Sequence, residues 1–389
     1  VRTAFPLPPS PFRNALTLVE LLVSITIIAT LAALFLGVSN SAMESARRAR
    51  TKTTIAKIHT LLMERWDEYT TRRVDLNPTI EADIKDHFGI GSPAAGQALA
   101  DARLLGLREL MKFELPDRWS DIDLNQSPLG GGPNVFIRDI PALTKAYFRR
   151  MDKVVENLRD QGLSSTDVTV TLERNGSAEC LYMVIMLFTG DGEARTLFSR
   201  QDIGDTDEDG APEFLDGWGR PIRWIRWPAG FVSESALMTS STGNPDTSDP
   251  ETNYDPFDPF RRNSRDALPA ASSFSNKLSF MRPFVAHLRG SASSKSPPAN
   301  PSDPSKHFEI GFRLIPLIFS AGPDGLGDMT TDVGSVVSLN NDILLDPYAW
   351  DASTSPPSYR LGSAELGPPE STSDDNTLDN IHNHIQDGS

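Results

Sequence analysis

Residues 15–42, ALTLVELLVSITIIATLAALFLGVSNSA, are almost wholly apolar yet carry a carboxylate, Glu20, near their start. No other feature limits the fold so much. As a helix rising about 1.5 Å per residue, Leu21 to Val38 extends roughly 27 Å, close to one bilayer core. A charge near the centre of such a span costs about 2.5–3.5 kcal/mol, so Glu20 needs a reason. The run is longer than the apolar core of a secretory signal, about 7–15 residues. SNSA at 39–42 still offers small residues to a signal peptidase, and a cleaved secretory signal stays open as an alternative.

The helical pattern continues past residue 42. Met43, Ala46, Ile55, Ile58, Leu61, Leu62, Trp66 and Tyr69 recur mostly at steps of three and four, an apolar stripe. Neither Pro nor Gly interrupts residues 39–76. Span and stripe together predict one helix over 16–70, transmembrane over 16–38, of roughly 75–80 Å.

The stretch RNALTLVELLVSITIIATLAALFLGV resembles the leader and first helix of type IV pilins and type II secretion pseudopilins. The family pattern is a basic leader, a small residue, a cut, then an apolar residue, Thr, two apolar residues and Glu. Here that gives a leader over 1–15, Ala15, a cut before Leu16, then Thr17, Leu18, Val19 and Glu20. Family members usually carry Gly before the cut and Phe or Met after it; Ala15 and Leu16 stand in their places. The resemblance implies cleavage and amino-terminal methylation by a prepilin peptidase. It also implies that Glu20 pairs with the terminal amine of a neighbouring subunit, which suits a carboxylate that is costly to bury alone. An interfacial residue at the end of a plain anchor is the alternative for Glu20.

Arg2 and Arg13 precede the span, while Arg47, Arg48, Arg50, Lys52 and Lys57 follow it. Counted alone, these put the body in the cytoplasm. The resemblance puts it outside, anchored in the inner membrane by a single pass, and that is the expectation adopted.

A net charge of −15 over 389 residues, with 39% apolar composition, suits a folded acidic body. It argues against nucleic acid as a partner, since phosphate binding needs clustered Lys and Arg. The one cysteine, Cys180, excludes an internal disulfide and sits in the apolar run AECLYMVIMLF, as a buried structural thiol does.

In the body, 71–231 is expected to be helical and then strand-rich. Helices are predicted over 97–114 and 141–161, with GSPAAG at 91–96 as a loop. DVTVTLE at 167–173 alternates like a strand, and AECLYMVIMLF favours helix. PIRWIRW at 221–227 and FRLIPLIFSAG at 312–322 are expected strands. Residues 232–307 form a Ser/Pro-rich insertion, 308–350 a strand with a Gly/Asp loop, and 351–389 a tail. The fold class expected is α+β and pilin-like: a long transmembrane helix continuing into a head with extra helices and a small antiparallel sheet.

DTDEDGAPEFLD places Asp205, Asp207, Asp209, Gly210 and Asp216 at positions one, three, five, six and twelve of a calcium-loop pattern. The flanks do not form the two helices of an EF-hand, and a solvated acidic turn is the alternative. A second likeness lies further on. LDGWGRPIRW, then FSAGPDGLGD and NNDI, are similar to the C-terminal half of major pseudopilins, where a Trp-Gly strand precedes a calcium-holding loop. By that resemblance Asp324, Asp328 and Asp342 are candidate ligands; ordinary Gly/Asp turn chemistry is the alternative.

The chain lacks H-E-x-x-H, G-x-S-x-G, a phosphate-binding G-x-x-x-x-G-K-[ST] and C-x-x-C. The expectation is a structural, non-enzymatic subunit of a pseudopilus or pilus-like filament. Its partners would be other pilin or pseudopilin subunits, a prepilin peptidase, an assembly platform and an ATPase. A membrane-tethered binding module that does not polymerise is the other reading, separable by substitution of Glu20.

Overall fold

The computed structural model describes residues 18–123, 139–188, 193–228, 255–259, 313–325 and 380–384. The chain divides into two units, Val1–Ala49 and Arg50–Ser389. Helix α1 runs over Leu18–Glu68, so its first part lies in one unit and its last turns in the other.

In the first unit α1 is apolar and exposed. Leu18 is 79% accessible and Ile28 65%, and Val19, Leu21, Leu22, Val23, Ile25, Ile27 and Leu31 are exposed as well. Ser24, Thr26 and Thr30 return their hydroxyl protons to carbonyls one turn back, at 2.7–2.9 Å, which lets polar side chains sit in an apolar helix. The expected transmembrane helix is not supported. Among the described residues no helix is long and apolar enough to cross a membrane. The inner-membrane, single-pass placement that rested on that span falls with it.

The second unit is a helical body with two small sheets. Its part of α1 buries Ile55, Ile58, Leu61, Leu62 and Trp66, with Tyr69 just beyond, as the spacing predicts; Met43 and Ala46, in the first unit, are exposed. Helix α2 (Pro78–Phe88) starts on Asn77, whose side chain accepts from Thr79 N, and α3 (Pro93–Glu114) on Ser92, whose side chain accepts from Ala95 N. The expected loop at 91–96 is therefore mostly the first turn of α3, with Pro93 where its missing N–H costs nothing. Helix α3 is buried along most of its length, charged residues included. Two of these charges are paired within the body: Glu114 accepts from Tyr69 and Arg72, and Arg108 meets Asp255 at 3.2 Å.

A 3-10 turn, Trp119–Ile122, leads towards α4 (Ala142–Asp160), which Pro141 caps and Gly162, at φ +87°, follows. Helix α5 (Ser165–Met183) replaces the strand expected at 167–173. Ser164 and Asp167 form a reciprocal capping box that starts the helix. The alternation of Val168, Val170 and Leu172 does not survive as a two-faced surface: Val168 is buried and Val170 exposed. A π-helical turn, Val184–Phe188, extends α5, and a short α6 (Glu193–Leu197) follows.

The first sheet is a hairpin of β1 (Ile203–Gly204) and β2 (Glu213–Phe214), antiparallel, with Gly204 opposite Glu213. The second is β3 (Arg223–Ile225), β4 (Leu317–Ser320) and β5 (Ile381–His382) in that order, both pairings antiparallel. Both expected strands therefore form. Ser177 of α5 bonds the main chain of Trp224 from both sides, which fixes the helix on β3. One core joins α1, α2, α3, the end of α5 and β2–β5; a second gathers Trp119, Tyr147, Val154, Leu158, Val168 and Cys180 between α4 and α5.

Candidate metal centre

The loop joining β1 to β2 is the acidic segment 205–212. Two glycine-like backbones bend it: Gly210 at φ +94° and Glu208 at φ +60°, the latter costing about 1–2 kcal/mol for a residue with a Cβ. The bend turns Asp205, Asp207 and Asp209 together, one carboxylate oxygen from each lying within 4.8 Å of the others. A second group shares Asp207 and adds Glu179 of α5 and Glu213 of β2, with the same spacing. Each of the two groups could hold a metal ion.

Burial deepens across the cluster. Asp205 is exposed and Asp207 half-buried, whereas Asp209 and Glu179 are each 1% accessible and Glu213 0%. The protein holds these carboxylates by their hydrogen bonds. Asn175 Nδ2 donates to Asp207 Oδ2 at 3.0 Å and to Glu213 Oε1 at 3.1 Å. Thr206 adds its backbone N–H and its hydroxyl to Glu213, both at 3.1 Å. Gly210 N donates to Asp205 Oδ2 at 3.0 Å and Ala211 N to Asp209 Oδ1 at 2.7 Å. Trp119 donates its indole N–H to Glu179 Oε2. That approach depends on Gly176, where an added Cβ would lie 2.9 Å from Trp119 Cδ1.

Three oxygens are left over. Glu179 Oε1, Asp207 Oδ1 and Asp209 Oδ2 are buried and accept no hydrogen bond. An unmatched buried acceptor costs about 1–3 kcal/mol, more when charged. Burial, and then the neighbouring carboxylates, push Glu179 up to about 9. Burial also raises Glu213 to about 7 and Asp209 to about 6, against the hydrogen bonds that each accepts, and raises Asp207. Among the described residues, buried ion pairs lie elsewhere: Arg226 with Asp121 at 2.7 Å and with Asp117, and Arg108 with Asp255. Arg174 offsets the rise in part at Asp207, and a cation placed here would supply further countercharge. Carboxylate oxygens without thiolate or imidazole suit a hard divalent ion.

Asp216, taken from the loop pattern as its twelfth position, is not part of either group. Its Oδ1 accepts from Trp218 N at 2.8 Å and Arg220 N at 2.9 Å, and its Oδ2 from Ser320 Oγ at 2.7 Å. It is a buried bracket between the turn after β2 and the end of β4. Arg220 adds bonds to the carbonyls of Gly322 and Pro323, at 2.7 and 3.1 Å. The two segments quoted for the second resemblance, around Trp218 and around Gly322, thus meet in space. Asp324 lies exposed in the turn after β4 and belongs to neither acidic group. Asp328 and Asp342 lie outside the described residues, as do Ala15, Leu16 and Thr17; Glu20 sits exposed in the first turns of α1.

Sequence reasoning missed Glu179 and Glu213. Glu213 stands at position nine of the same loop pattern, a ligand position. Glu179 announces itself only as a lone carboxylate among residues that are otherwise buried. No protein-family model, curated protein or solved structure matches this chain.

Proposed function

We propose that this chain is a structural subunit, similar to pseudopilins and minor pilins, that assembles into a filament through the N-terminal part of α1. The observation that carries the reading is the apolar surface between Leu18 and Leu31, whose exposed side chains point to every side of the helix. A helix apolar all round is normally covered, and helices of like subunits cover it on all sides. Glu20 then registers the assembly by pairing with the amine of a neighbouring chain cut before Leu16. A prepilin peptidase makes that cut, and an assembly platform and ATPase drive incorporation. The role is structural rather than catalytic.

The ion at the 205–213 loop is calcium in this reading. The candidate ligands are all hard carboxylate oxygens, the donor type that Ca²⁺ takes. It stabilises the body of the subunit by linkage, binding the folded state and not the unfolded one.

The test is filament recovery. Wild-type and Glu20→Gln chains are expressed in the native host and sheared filaments are examined by immuno-electron microscopy. The reading expects wild-type chain in filaments and Glu20→Gln chain absent from them at equal abundance. Equal incorporation of both, or no filament-associated wild-type chain, contradicts it.

A further inference from the structure

We infer that Glu179 of α5 is a ligand of the ion bound by the 205–213 loop, so that the ion ties α5 to the β1–β2 hairpin. The inference rests on the calcium reading above and goes beyond the loop pattern, which contains no residue of α5.

Three carboxylates share one arrangement. In Glu179, Trp119 holds Oε2 and Oε1 accepts nothing; in Asp207, Asn175 holds Oδ2 and Oδ1 accepts nothing. In Asp209, the N–H of Ala211 holds Oδ1 and Oδ2 accepts nothing. One oxygen fixed and the other bare is how outer hydrogen bonds orient a metal ligand. A merely solvated acidic turn would have its spare oxygens in water, whereas Glu179 and Asp209 are each 1% accessible and their spare oxygens are buried.

Glu179 is also placed by the packing of Trp119, a member of the second core, against α5. Gly176, one turn earlier on α5, lacks the Cβ that would strike Trp119. Glycine inside a helix costs roughly 1 kcal/mol relative to alanine. That cost lets the indole reach Glu179 Oε2. The bare Oε1 belongs to a residue whose carboxylate lies within 4.8 Å of those of Asp207 and Glu213. Asp205 is the exposed member of the cluster.

The test is calorimetric titration of Ca²⁺ into the chelator-treated full chain, for wild type and Glu179→Gln, with circular dichroism to confirm folding. The expected result is binding by wild type and at least about tenfold weaker binding by Glu179→Gln. Wild-type binding with an unchanged Glu179→Gln affinity overturns the inference and leaves the calcium reading standing. No binding by wild type overturns both. If Glu179→Gln fails to fold, Trp119→Phe decides: it frees Oε2 without touching a ligand, and its affinity is expected to fall about tenfold. An unchanged affinity in folded Trp119→Phe also overturns the inference.

Discussion

Trp119 and Glu179, 60 residues apart in the chain and both buried, are joined by a hydrogen bond from the indole to the carboxylate. The contact ties the 3-10 turn to α5 and fixes one oxygen of the carboxylate. Gly176 makes room for it. Gly176→Ala should therefore destabilise the chain, although alanine is the better helix former by roughly 1 kcal/mol. The new Cβ would sit 2.9 Å from Trp119 Cδ1, against a buried ring that has little freedom to move. A lower melting temperature together with weaker Ca²⁺ binding is expected; a higher melting temperature would show that the ring yields.

The acidic cluster sets the sign of a pH effect. Glu179 and Glu213 are raised by burial from 4.5 to about 9 and about 7. A group whose folded pKa is raised favours the fold below its unfolded pKa and loses that contribution as pH climbs to the folded value. The cation-free chain should thus lose stability from about pH 5 to pH 9. Saturating Ca²⁺ should remove most of that slope. Melting temperatures across this range, with and without chelator, test it; a chelated chain that stabilises towards pH 9 has the wrong sign.

His384 works in the opposite direction. Burial lowers it to about 4 from 6.5, with its Nε2 against the Pro316 carbonyl at 3.1 Å. A lowered folded pKa means that stability present above pH 6.5 is lost as pH falls towards 4. His384→Gln keeps a donor for Pro316 without the charge. The stability advantage of wild type over His384→Gln should shrink between pH 6.5 and 4. An advantage that stays constant there would mean that the imidazole does not titrate against the fold.

Asp216 should act on the fold and not on the ion. Asp216→Ala removes the acceptor for two backbone N–H groups and for Ser320 Oγ. A cost of roughly 2–4 kcal/mol is expected from buried donors left unmatched. Ca²⁺ affinity of the folded fraction should be unchanged. A large loss of affinity with normal stability would restore Asp216 to the site.

What was legible in the sequence follows from which forces act locally. The stripe from Ile55 to Tyr69 was readable because a helix repeats its buried face every three to four residues. Asp205, Asp207 and Asp209 were readable because alternate carboxylates before Gly210 can converge only round a sharp turn. Asp216 was misassigned because β2 begins at Glu213, pairs with Gly204 and carries the chain past the site. The strand predicted at 167–173 failed because β-branched alternation is a weak signal beside a capping box at Ser164 and Asp167. Glu179 was invisible because its place depends on Trp119 reaching it past Gly176, a contact made only by tertiary packing. The span failed because, among the described residues, no helix is long and apolar enough to cross a membrane.

The central claim is that the apolar segment from Leu16 onward stays on the mature chain and serves assembly. The most direct measurement is the mass of the amino-terminal peptide of the protein recovered from its native host. The account predicts a chain that begins at Leu16 and is one methyl group heavier than its sequence. A chain that begins near Ala42, with the apolar segment removed, or one left uncut before Leu16, would contradict it.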